Sequence, residues 1–516
     1  MHRKCHLATR RMCASAPKAG ALEREFDPDA VVSAGQTEAV DLSTKTVSTV
    51  DDLVGAAADS AVRRIVVDGE ISGAPSLRLA PGQQLAGKRE GATVTFAGGT
   101  DGVQLSRDNE VARLRLHADP SRRAVFNDTT IGHLGTLRLL GVSAVGQVQI
   151  LARDQVGAGN VVVDGLDVSA ADLRNRAERP ELLGVGVMQG AFTLWNMQSD
   201  SVVVVTADLR GISAGRESSP VRGSGVFVAG AGNSGSRLDV SVLDTGPVYT
   251  DSGLAEGTHD TISGGVFVVY DCHVQQVHNG GPVTTHGVNG MVLDNWGEVD
   301  RWVAEAPLTS YGPSGVGFVN FGAISTLRIE AVIETHGVGA RGFNVYRLDD
   351  YTGPTVENAE FDRIVTHADA AIGIQVGQPI GHLVVRDGIE TRGGAGDSLV
   401  RGVITRLEAH ALSVQPGGRV LGVDAGGPLS SAGPGVVAVD IQGTVGEMRV
   451  AGGIAASGEA ADALRVSGEL TLRDTEVRAD RGVAIRATST SSVELHNVRA
   501  TGAHGDVVVE RRDPAG

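Results

Sequence analysis

The chain reads as an all-β solenoid built from short stacked strands. Three observations predict it. The first is a repeat of 25 residues, which brings Val283-Thr284-Thr285-His286-Gly287, Leu308-Thr309-Ser310-Tyr311-Gly312 and Ile333-Glu334-Thr335-His336-Gly337 into one register. Ile364-Val365-Thr366-His367 follows after 31 residues, an insertion of six, and Ile389-Glu390-Thr391-Arg392-Gly393 after another 25. A fixed period of this size marks one supersecondary unit stacked on itself. The second is composition: 71 glycines with only 17 prolines and 3% aromatics point to many turns between many short strands, and away from collagen or a Pro/Gly linker. The third is alternation of apolar and polar residues in runs such as Leu327-Arg328-Ile329-Glu330-Ala331-Val332.

Residues 1–45 read as an extended or disordered tail. Thr49 is a plausible N-cap, and Asp51 and Asp52 suit the positive end of a helix dipole, so a short helix is expected to about Val62, covering the open end of the solenoid. Strands begin at Arg64-Ile65-Val66-Val67, and one phrase then recurs to about residue 510: an alternating strand, a bend, a second short strand, a glycine and a third strand. Three strands per turn give about 15 coils, and strands stacked about 4.8 Å apart give a rod of roughly 70 Å. The whole of 46–510 is read as one domain. Insertions break the period at Ala170–Leu183, Asp208–Gly223, Asp244–Ile262 and Arg347–Glu357; insertions in a solenoid map to loops, often on the binding face. Coils after about residue 400 are plainer, so chemistry is expected between about 260 and 400.

The opening Thr46-Val47-Ser48-Thr49-Val50-Asp51-Asp52-Leu53, its helix, and Ile65-Val66-Val67-Asp68-Gly69-Glu70-Ile71-Ser72-Gly73 resemble the start of pectate-lyase-like right-handed parallel β-helices. That resemblance implies a right-handed parallel β-helix with an N-terminal capping helix, and a superfamily of polysaccharide lyases, glycoside hydrolases, fructan-type transferases, epimerases, tailspikes and non-catalytic adhesins. It covers architecture alone. The Asn-Thr-Asp, Gly-His-Gly and Arg-Ile-Lys set of polygalacturonases is absent, as are the Trp-x-Asp-His and Arg-x-Pro-x-x-Arg motifs of calcium-dependent pectate lyases. No catalytic residue carries over from them.

Candidate sites therefore come from the repeat. Side chains alternate along a strand, so with Ile333 inside, Glu334 and His336 point out. Stacking then builds two outward columns: Thr284, Thr309, Glu334, Val365, Glu390 and, beside it, His286, Tyr311, His336, His367, Arg392. The strand after the glycine adds Asp294, Trp296, Asn320, Arg341, Asn344, Tyr346 and Gln375. Glu334, Glu390, His336, Tyr311, His367 and Asp294 are the candidate catalytic groups. His286, Trp296, Asn320, Arg341, Asn344, Tyr346, Gln375 and Arg392 are the candidate substrate-binding groups. Two chemistries fit. In glycoside hydrolysis two carboxyls flank the bond, and Glu334 and Glu390 lie about 9–10 Å apart across two coils, at the upper end of the inverting range. In β-elimination a His or Tyr moves the proton beside a uronate carboxylate that Arg, Asn or Gln holds. A carbohydrate-active enzyme is one reading. A non-catalytic binding, adhesin-like or scaffold solenoid is the other, because aligned like residues also stabilise a solenoid by stacking alone.

Net charge of −16 argues against nucleic-acid partners and anionic membrane surfaces. The expected partner is a carbohydrate, with a homo-oligomer (a trimer by analogy) as a second possibility. No His group has metal-ligand spacing on one element, so neither metal nor cofactor is expected. Three cysteines give no disulfide framework, and Cys272 in a strand-like run is read as a buried thiol. The basic leader Met1–Ala21 lacks an apolar stretch, and no segment approaches the length of a membrane helix. A cytoplasmic location is expected, with secretion open if the true start lies elsewhere.

Overall fold

The computed structural model describes residues 43–182, 184–232, 235–346, 355–400 and 403–510. Residues 1–42 of the predicted tail, with Cys5 and Cys13, and most of the Arg347–Glu357 insertion lie outside these residues; the end of the predicted tail instead starts a strand, Thr44–Val47, paired with Arg64–Val67. The molecule is a right-handed parallel β-helix. Each coil has three legs, well seen in the central coils. The first leg runs through Cys272–Asn279, Glu298–Ala304 and the start of Ala323–Thr335, all parallel neighbours. The second runs through Val283–His286, Leu308–Ser310 and the end of Ala323–Thr335. The third runs through Gly290–Asn295, Val316–Asn320, Arg341–Val345 and Ile372–Val376.

Apolar residues of equivalent position stack inside. Leu308, Ile333, Ile364 and Ile389 form one such column, none more than 2% exposed. Burying a side chain of this size stabilises by roughly 1.5–3 kcal/mol, and the term repeats at every coil. Beside it runs an inward file of small hydroxyls: Thr285, Ser310, Thr335, Thr366 and Thr391 are all fully buried. Cys272 is buried as expected, and burial pushes its thiol far up, so it is an inert core group.

The N-terminal helix spans Val50–Ala58, with Thr49 accepting from the Asp52 amide. It stops four residues before the expected end. Leu53, Ala56 and Ala57 face the first coil. The reason for the stop lies in that coil: the buried Gln83 amide donates to the carbonyls of Ala56, Asp59 and Val62, satisfying groups that a longer helix would have used internally.

The third leg differs from the other two, because both of its faces are buried over the central coils. Leu293, Phe318 and Phe343 point into the solenoid core. On the opposite face Trp195, Phe227, Phe267, Trp296 and Val319 form a second apolar cluster.

Candidate functional site

The outward column of the second leg ends each strand at one corner of the coil. Parallel pairing places Thr284, Thr309, Glu334, Val365 and Glu390 in register, so the next residues also align. His286 stacks on Tyr311 with ring centroids 4.9 Å apart, Tyr311 on His336 at 4.8 Å, and His336 on His367 at 4.4 Å, all within 13° of parallel. Arg392 closes the file, its Nη1 3.1 Å from His367 Nδ1. Tyr311 is the most open ring, 49% exposed.

The glycines after Tyr311 and His336 show how closely these turns approach. A Cβ on Gly312 would sit 1.5 Å from the Gly287 carbonyl oxygen, and one on Gly337 would sit 1.9 Å from that of Gly312. At Gly312 and Gly337 the approach leaves room only for a residue without a side chain, whereas after His367, the most closely stacked ring, the chain carries Ala368.

Charges are distributed unevenly along the file. Glu390 is held between Arg392 at 2.7 Å and Arg363 at 2.8 Å. The Arg392 hydrogen bond, reinforced by Arg363, keeps its carboxyl below the usual range. Among the described residues Glu334 has no arginine partner. Its Oε1 lies 2.7 Å from His367 Nε2 and 3.7 Å from His336 Nε2. A guanidinium can only donate, so His367 Nδ1 accepts from Arg392 and the ring proton sits on Nε2, facing Glu334. Burial, the neighbouring His367 and Arg392 together hold His336 below the ordinary imidazole range, against the pull of Glu334.

The file also reaches further toward the N-terminus than the repeat suggests. Asp251 pairs in register with His286, Arg222 with Asp251, and Asp172 bridges Arg222. Arg222 donates to Asp251, and Arg174 grips Asp172. Three of the expected insertions therefore meet at the head of the file. Much of the second and third is regular strand, as in Val204–Ala214 and Arg237–Asp251, whereas the described part of Ala170–Leu183 is mostly irregular. Irregular spacing hid these three residues from a reading based on period.

The third-leg candidates do not join the file. Asp294 is fully buried, both carboxyl oxygens lack a hydrogen-bond partner, and burial pushes its pKa well up. Asn320 is fully buried and spends its amide on the turn, accepting from Asn295 and donating to the Gly322 carbonyl. Arg341 is 1% exposed and binds Gln375 Oε1 and the Gly339 carbonyl. Asn344 is buried without a side-chain partner, and Gln375 is 4% exposed. Arg392, which the repeat places in the column, contacts the ring file at His367, whereas Arg341 is spent on the third leg. Trp296 is 8% exposed and packs between Tyr270 and Phe321, while Tyr346 stacks on Phe321 at 4.8 Å. Trp302 is a separate core residue whose indole donates to Asn279.

Two further features escaped the sequence. Tyr270, Trp296 and Phe321 join Arg237, His273 and Glu298 around a cavity of about 520 Å³ at another corner of the coil. Beyond residue 400, buried Asp440 is bound by Arg465 and Gln442, with His410 and Glu408 close by. No protein-family model, curated protein or solved structure matches the chain.

Proposed function

We propose that this chain belongs with the pectate-lyase-like β-helices and cleaves an acidic polysaccharide by β-elimination along the file from His286 to Arg392. One observation carries the reading: the most exposed ring of the file, Tyr311, is sandwiched between two imidazoles, with a guanidinium three coils further along. Elimination needs a proton-transfer group beside donors that hold the uronate carboxylate. As the phenolate, Tyr311 takes the proton from the carbon bearing the carboxylate. The C–O bond to the leaving sugar breaks, the double bond forms, and the leaving oxygen recovers the proton from Tyr311. The flanking imidazoles of His286 and His336 offer ring N–H donors to that carboxylate, while Arg392, three coils on and so roughly 14 Å along the stack, holds a uronate carboxylate further along the polymer.

Hydrolysis is supported less well. It requires one carboxyl kept protonated near a second ionised one. Glu390, clamped by two arginines, stays ionised. Asp294, the carboxyl that burial keeps protonated, lies on the third leg away from the file. A second reading, a non-catalytic binding solenoid, draws support from the regularity of the stack, since parallel rings stabilise neighbouring coils whether or not they act on anything.

A panel of glycans separates these readings. Elimination yields ultraviolet absorbance from unsaturated uronate on at least one acidic polymer, and Tyr311→Phe lowers that rate by about 100-fold or more with an unchanged circular dichroism spectrum. New reducing ends without the absorbance would replace elimination by hydrolysis. Binding without turnover on every polymer would leave the non-catalytic solenoid.

A further inference from the structure

We infer that Glu334, His336 and His367 form a binding site for a divalent transition-metal ion such as Zn²⁺, Ni²⁺ or Co²⁺. Their candidate ligand atoms, one carboxylate oxygen and two imidazole nitrogens, all lie within 4.8 Å of one another. Tetrahedral zinc with bonds of about 2.0–2.2 Å places its ligands roughly 3.4 Å apart. Small side-chain rotations of half-buried groups close the difference. Two imidazoles and one carboxylate suit this class of ion and leave further positions open. Ordinary ion pairing does not already account for the carboxylate. Glu390, its counterpart two coils on, is taken by Arg363 and Arg392, whereas both contacts of Glu334 are imidazole nitrogens.

The site has a built-in competitor. Arg392 binds His367 Nδ1 and so places the ring proton on Nε2, the atom that would ligate the metal. Metal binding shifts that proton to Nδ1 with no net release, and Arg392 must let go of the ring while keeping Glu390. Arg392 is thus outside the ligand set but opposes its formation, both by tautomer and by charge. Metal binding is read without substrate, so it stands or falls independently of the elimination chemistry.

The test uses the full chain, stripped with chelator and titrated with Zn²⁺ by calorimetry and with Co²⁺ by visible spectroscopy. One equivalent is expected, with a Co²⁺ spectrum of nitrogen and oxygen ligands. Glu334→Gln, His336→Ala and His367→Ala should each weaken binding at least tenfold, and Arg392→Ala should tighten it several-fold. A purely structural ion-pair cluster would not show that gain. Circular dichroism confirms that each variant is folded, and His278→Ala, at a histidine paired with Asp244 on the first leg, should bind like the parent. The inference is overturned if no stoichiometric binding is seen, or if binding survives His336→Ala/His367→Ala. Thiolate charge-transfer bands in the Co²⁺ spectrum would also overturn it, because they would place the ion on the leader cysteines.

Discussion

The coils from 283 to 393 and those from 429 to 480 share one scaffold and carry different surfaces. In both, strands pair in register, small residues such as Thr391 and Ser431 face inward, and a glycine closes most of the turns. Gly433 and Gly458 meet the carbonyl below them as tightly as Gly337 does, with a Cβ placed 1.8 and 2.0 Å from it. The outward position that holds Tyr311, His336, His367 and Arg392 in the central coils continues as Ala432, Ser457 and Asp480. Stacked rings are therefore not a requirement of the fold. The scaffold holds as well with a methyl or a hydroxyl there, and this is the best argument that the central file was filled for something other than stability.

Breaking the shared part should have the largest effect, and the same effect in both regions. Gly312→Val and Gly458→Val each force a side chain into a carbonyl contact shorter than any real Cβ makes. Each should cost at or above the ~1–3 kcal/mol of ordinary overpacking, read as a drop in thermal midpoint. A large loss in one region only would mean that the coils are held together differently, and the comparison would fail.

The differing part should respond in function. Arg392→Ala is expected to raise the KM for a uronate polymer by about 10-fold or more, the scale of losing one hydrogen bond to a charged group of the substrate. Asp480→Ala, at the matching position of the plain coils, should leave KM unchanged. Equal behaviour of the two variants would show that the central file has no special role. Opposite responses of activity and metal affinity in Arg392→Ala would show that its guanidinium has two separable jobs.

The file was legible in the sequence because nothing interrupts the 25-residue spacing from His286 to His336, and a period-2 strand decides which residues face out. Asp172, Arg222 and Asp251 belong to the same file but sit where strand lengths vary, so no spacing marks them. Asp294, Asn344 and Gln375 share a face, as alternation implies, yet alternation does not tell whether that face meets water. Here it carries the second apolar cluster, and the polar groups went inside with it. The convergence of Glu334, His336 and His367 was missed for a related reason. Ligand-spacing rules look along one element, whereas a solenoid brings ligands together across coils, in this case across a 31-residue step.

The smallest expected effect concerns the first leg, where the central coils again carry a histidine. His278 lies between Asp244 at 2.6 Å and Glu305 at 3.3 Å. Burial disfavours its charged form, but hydrogen bonds to the two carboxylates outweigh burial and raise its pKa. Folding therefore favours the protonated ring. Its contribution is complete below the unfolded-state value of about 6.5 and fades as pH rises through the higher folded-state value. The pair is partly exposed, so the contribution should stay under about 1 kcal/mol. His278→Gln should thus lower the thermal midpoint slightly at pH 5.5 and by less at pH 9. A His278 effect that grows with pH would mean that burial, and not the two carboxylates, governs this corner of the central coils.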